Sequence, residues 1–235
     1  MDDAQNTLHN FHQNNTEYEV VVIDLLYGIF RGMQQDSNAS FLLPSELMVL
    51  AHNGKTLQDH LERLNEDCMT TTKIDFNADC IICPIFYTTR MNKEKTIAYN
   101  PAKHGEFGHW SCFVIDFRFQ TISFFDSLNK FTPPQMRTCI EKFSKNLMMA
   151  ISVIRNENLP MNQLEFVHRN LQQQEQNDCG VYACLIGELY LIGLEDKLEV
   201  LNLDQLQINT LRLNHLDMVL KNEYKLVRSF PGKNS

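Results

Sequence analysis

His109, Asp126 and Cys179 are the residues whose types could together run covalent chemistry, and they follow one another as base, acid and thiol. Each sits beside apolar structure. His109 heads the run Gly108-His109-Trp110-Ser111-Cys112-Phe113-Val114-Ile115-Asp116, Asp126 closes Gln120-Thr121-Ile122-Ser123-Phe124-Phe125-Asp126, and Cys179 opens Cys179-Gly180-Val181-Tyr182-Ala183. A thiol attacks as its thiolate, and a neighbouring imidazole can take its proton. A carboxylate on the other ring nitrogen fixes the tautomer and leaves that imidazole free to act as a base. The set describes nucleophilic catalysis by a thiol.

Three elements must position these groups. The first two runs read as β-strands, and a four-residue loop Asp116–Phe119 centred on Phe117-Arg118 would pair Ile115 with Gln120 and, further along, His109 with Asp126. Directly opposed residues have Cβ atoms roughly 4.5 to 5.5 Å apart, and a one-residue bulge would spoil the match. Asn177-Asp178 precede an apolar helix over 179–194, with Asp178 read as its cap. That puts Cys179 in a first turn, where backbone N–H groups and the helix dipole favour an anion. Gly180 removes a side chain where a substrate backbone must approach. Just upstream, Leu171-Gln172-Gln173-Gln174-Glu175-Gln176 could place an amide donor beside a developing oxyanion.

The rest of the chain supplies helices around a sheet. Apolar residues recur at spacing four over 17–33, in the rows Val21, Leu25, Ile29 and Val22, Leu26, Phe30. Further helices are expected from Ser45, near 57–64, over 135–151 behind Thr132 and Pro134, and over 203–220. Cys80-Ile81-Ile82-Cys83-Pro84-Ile85-Phe86-Tyr87 is a continuous apolar run suited to a strand buried on both faces, and 163–168 could add another. Helices, a central cluster of strands and then helices make an α+β fold, a central mixed sheet flanked by helices. No repeat or Gly/Ser/Pro linker divides it. The expected organisation is a flexible tail over 1–16 and a single domain over 17–235: a helical part at 17–66, a core at 79–195 and a final helix at 203–222.

Composition narrows the function classes. Lys and Arg number 21 against 29 Asp and Glu, a formal charge of −8, which argues against a nucleic-acid binder. No apolar run approaches the roughly 18 to 20 residues that span a bilayer, so no membrane role is expected. Seven cysteines at irregular spacing, behind an N-terminus without a basic and apolar leader, read as reduced thiols in a cytoplasmic or nuclear compartment. Cys80 and Cys83 form a CxxC, but a zinc site needs two more ligands and a turn between them, so both are read as core thiols and no metal is expected. His104 is set aside as a base because Phe107 and Gly108 separate it from the strand. Met148-Met149 is read as helix core.

His109-Trp110, Phe125-Asp126-Ser127, and Gln173 with Asp178-Cys179-Gly180 together resemble the signature of the Ulp1-like cysteine proteases, which remove SUMO, NEDD8 or ubiquitin from proteins. The resemblance covers about 80–194, with Arg212 in a plausible place on the final helix. It implies a papain-like Ulp1-type fold, with Cys179 as nucleophile, His109 as general base, Asp126 as its orienter and Gln173 as oxyanion donor. Trp110 would cover a tunnel that admits a Gly-Gly tail, a passage where only glycine lets an extended backbone through. The implied partners are a ubiquitin-like modifier and its conjugates, with no cofactor and a monomeric chain. The family's Trp-Leu-Asn-Asp-like segment is missing from 41–64, since the single Trp is at 110. Modifier preference therefore stays open, and bacterial effectors acting on ubiquitin in a host cytosol are included. Two alternatives remain: an acetyltransferase of the same clan using acetyl-CoA, disfavoured by Asp126 and by the acidic charge, and an inactive modifier-binding module.

Overall fold

A computed structural model describes residues 20–34, 38–44, 46–47, 59, 61, 74–88, 108–127, 134–157, 159, 161–171 and 177–221. Helix α1 is Val20–Met33 and strand β1 is Ala39–Phe41. Strands β2 (Cys80–Thr88), β3 (Gly108–Asp116) and β4 (Thr121–Asp126) follow, then helix α2 (Pro134–Ile154) and strand β5 (Glu165–Asn170). Helix α3 (Cys179–Leu191) leads through a 3-10 segment, Glu195–Val200, to the last helix α4 (Gln205–Lys221).

The five strands form one mixed sheet in the order β1-β2-β3-β4-β5, parallel at both outer pairs and antiparallel in the middle. Strands β2 and β3 are apolar on successive residues because both faces are covered. Trp110, Cys112 and Val114 join the core under α1, α3 and α4, while Phe113 and Ile115 join the core under α2. The same alternation separates the CxxC. Cys80 belongs to the first core and Cys83 to the second, so a strand through both thiols aims them to opposite faces and they cannot share a metal ion. Pro84, without an N–H to donate, falls past the end of β1, whose last pair is Phe41 with Ile82, where β2 has no further strand on that side among the described residues.

Of the two apolar rows expected in α1, one is inside. Val22, Leu26 and Phe30 are buried together with Ile23 and Tyr27, whereas Leu25 is 43% exposed. Helix α3 is apolar on every side because the sheet, α1 and α4 all pack on it. Tyr27 donates its hydroxyl to the Ala183 carbonyl at 2.8 Å, which locks α1 to α3. The ring lies so close that a Cβ at Gly187 would meet Tyr27 Cζ and Oη at 3.0 Å. The helix expected near 57–64 and the tail over 1–16 lie almost wholly outside the described residues, as does His104. Strand β1 was not expected, since three residues, Ala39-Ser40-Phe41, show no period.

No helix among the described residues is long and apolar enough to cross a membrane.

Candidate active site

The β3–β4 hairpin differs from the expected register. Asp116 pairs with Thr121 and Cys112 with Phe125, so the loop is Phe117–Gln120, centred one residue later than expected. The reason is local: the Asp116 carboxylate accepts from the Arg118 N–H at 2.9 Å, which starts the turn at Asp116, and Gln120 closes it with φ of 54°. Asp126 consequently lies opposite Ser111 by extension of the register, and His109 is two residues beyond. A shift of two keeps both side chains on the same face of the sheet, where a diagonal pair stays within reach of an imidazole. The contact forms: His109 Nε2 donates to Asp126 Oδ1 at 2.8 Å, with both residues buried.

Cys179 reaches the same imidazole from the first turn of α3, its sulfur close enough to act electrostatically on the ring. With Nε2 given to the carboxylate, Nδ1 is the nitrogen left to meet the sulfur. Burial pushes the His109 pKa down, but the Asp126 carboxylate that accepts from the ring and the sulfur of Cys179 outweigh it and raise the value from 6.5 to about 9. Each of the three residues comes from a different element, and they meet at the end of the sheet where β3 begins and β4 finishes.

Asp178 does not cap α3 in the way its residue type suggested. Its side chain makes no hydrogen bond to the first turn; Oδ1 instead accepts from Arg212 Nη2 of α4 at 2.8 Å, and the same nitrogen donates to the Asn177 carbonyl at 2.6 Å. The guanidinium thus grips the two residues before Cys179, and the first N–H groups of α3 are left uncapped by the Asp178 carboxylate. Sequence patterning could not have found this contact, because nothing local links residues 34 positions apart.

Trp110 points away from His109 into the first core, 1% exposed, with its ring 5.0 Å from that of Phe86. Gln173 lies outside the described residues, as do its neighbours Gln172 and Gln174. His168 of β5 was missed by the sequence reading. Its Nε2 lies 4.0 Å from the second carboxylate oxygen of Asp126. Burial and the charge of Arg137 lower its pKa, with Asp126 and Asn170 offsetting only part of that. Among the described residues no group of His, Cys, Asp and Glu has the arrangement of a metal site.

Comparison with known proteins agrees with the fold. The model of the Ulp1 protease family, C-terminal catalytic domain, matches residues 52–225. The C-terminal protease domain of Ulp1, solved in complex with Smt3, the yeast ortholog of SUMO, superposes with a TM-score of 0.65 at 16% identity, covering 92% of this chain and 82% of that one. Ulp1 with its catalytic cysteine oxidised to a sulfinic acid gives 0.64 at 18% identity, over 92% and 83%. The effector ChlaDUB of Chlamydia abortus gives 0.50 at 13% identity, over 87% and 93%. No curated protein sequence matches the chain. The family match runs through β2, the hairpin, α3 and α4, the elements that bring His109, Asp126 and Cys179 to one point, and so the chain belongs to the Ulp1 protease family, of which it is a divergent member.

Proposed function

We propose that this protein is a thiol peptidase that hydrolyses the peptide or isopeptide bond after the C-terminal Gly-Gly of a ubiquitin-like modifier. The observation that carries the reading is the imidazole of His109 held between Asp126 and Cys179. A His109 pKa near 9 keeps the ring protonated at neutral pH, the form it has once the thiol proton has moved to it. Cys179 sulfur then adds to the glycine carbonyl, and the oxyanion is met by N–H groups at the start of α3 and, in this reading, by Gln173. The C–N bond breaks as His109 returns its proton to the leaving amine. Water gives a proton to His109 and adds to the thioester, and the C–S bond breaks to free the modifier and the thiol. Asp126 keeps the imidazole in the required tautomer. Trp110, buried against Phe86, would line the passage for the Gly-Gly tail only after a movement that uncovers its ring.

Membership of the family and the likeness to Ulp1 in complex with Smt3 support a ubiquitin-like partner. The test is parallel reaction of the full chain with C-terminally activated SUMO, NEDD8 and ubiquitin probes. Covalent capture of one of them, lost in Cys179→Ala, is the expected result and names the modifier. Capture that survives in Cys179→Ala would remove the assignment, and acetylation of a target by acetyl-CoA without any capture would favour the acyltransferase chemistry instead.

A further inference from the structure

Asp126 lies between two imidazoles. His109 of β3 takes Oδ1 at 2.8 Å, and His168 of β5 faces Oδ2 with its Nε2 at 4.0 Å. The second placement follows from the sheet: Asp126 pairs with Asn170 in the parallel β4–β5 ladder, so His168 sits two residues before the partner of the carboxylate. The ring is steadied edge-on against Phe124, 5.3 Å between centroids. Its Nε2 is buried and has no hydrogen-bond partner, which is costly for a polar atom unless a partner comes within reach in another state of the protein.

We propose that His168 is a second positioning residue, whose Nε2–H donates to Asp126 Oδ2 in a closed state that the empty site samples and a substrate stabilises, so that the carboxylate is gripped from β3 and β5 at once. The required movement is about 1 Å, and hydrogen bonds in active sites commonly lengthen in the empty protein and tighten in the complex. The effect on His109 is indirect. A carboxylate with one oxygen fixed by His168 is oriented toward the other imidazole. The groups that face His168 are Asp126 and Phe124 from β4, Arg137 from α2 and Asn170 from its own strand. Another side of the residue lines a surface groove of about 860 Å³, together with Arg169, Glu195 and Glu199, through which solvent protons reach it.

The inference rests on the reading of Asp126 as the orienter of His109, so its test has one arm that needs no turnover. In that arm the ring nitrogens of His109 are followed by NMR as pH is lowered in the full chain. The expected trace shows a second inflection where His168 titrates, below its ordinary 6.5, and that inflection disappears in His168→Phe, which keeps the ring against Phe124. In the turnover arm, His168→Phe lowers kcat about tenfold with KM within about twofold, and His168→Gln, whose amide can still donate, restores most of the loss. The NMR arm decides the proposal even if no probe is turned over. A His109 titration identical in wild type and His168→Phe would overturn it. So would a His168→Gln variant as impaired as His168→Phe at equal thermal stability, because a purely packing role is indifferent to the donor.

Discussion

Asp178 gives its carboxylate to Arg212 rather than to the helix it precedes, and the thiol next to it is therefore held in place by α4. The ion pair is almost fully buried, 0% exposed on the Asp178 side and 14% on the Arg212 side, so removing one partner leaves the other's buried charge uncompensated by it. Arg212→Met should cost roughly 3 to 5 kcal/mol of stability and lower kcat by about 10- to 100-fold through loss of alignment. Arg212→Lys should recover part of the stability but little of the rate, since one ammonium must replace a nitrogen that serves both the Asn177 carbonyl and Asp178. Denaturant titration and single-turnover kinetics read the two effects separately.

Replacing Asp126 by Asn removes a main cause of the raised His109 pKa and should move it back toward 6.5 or below. The sign for stability follows from linkage. A pKa raised from 6.5 to about 9 on folding contributes stability that is complete below about pH 6.5 and is lost as pH climbs through 9. The wild-type protein should therefore lose on the order of 3 kcal/mol between pH 6 and 10, and Asp126→Asn much less. Urea denaturation at the two pH values measures it. Turnover should fall by at least about a hundredfold in the same variant.

Glu188 and His215 form a second buried polar contact between α3 and α4, with 3.6 Å between Oε2 and Nε2 and both side chains 0% exposed. Glu188→Leu alone should cost about 3 kcal/mol or more, while Glu188→Leu combined with His215→Leu should recover most of it, because a well-packed apolar pair replaces an expensive polar one. A double-mutant cycle of denaturation free energies decides it. Additive losses would show that the two residues act independently.

Gly187→Ala tests the closeness of α1 to α3. The added methyl meets the Tyr27 ring at 3.0 Å and Phe30 at 3.3 Å, and both rings are fully buried, so the helices must separate by a few tenths of an ångström. The expected cost is about 1 to 3 kcal/mol. Gly187→Ala combined with Tyr27→Phe removes the hydroxyl in the way and should regain part of it, less what is lost with the bond to Ala183. Thermal melting of the three variants gives the answer.

What could be read from the chain followed the range of the forces involved. Strands β2 and β3 were legible because burial on both faces writes an unbroken apolar run, and α2 because its Pro134 start and apolar stripe are local signals. The meeting of His109 with Asp126 was legible for a more fragile reason. The centre of the turn was misplaced by one residue, which shifts the pairing by two, and a side-chain period of two forgives that error. A misplacement by half as much would have sent the two residues to opposite faces. Illegible were the contacts that depend on distant partners: Arg212 on Asp178, and His168 beside Asp126. Asp178 looked like a cap because its type and place are those of one, and only the tertiary structure offers its carboxylate a stronger partner.

The order of elements along the chain has a consequence for how the protein is made. All five strands precede residue 179, and the helix that secures the thiol comes later still. During synthesis, where domains form from the N-terminus onward, the sheet with its base and acid can be assembled before the nucleophile is attached to it. The reactive sulfur is thus delivered into a socket that already exists, and a chain cut short before α4 would carry the thiol without the guanidinium that holds the two residues before it.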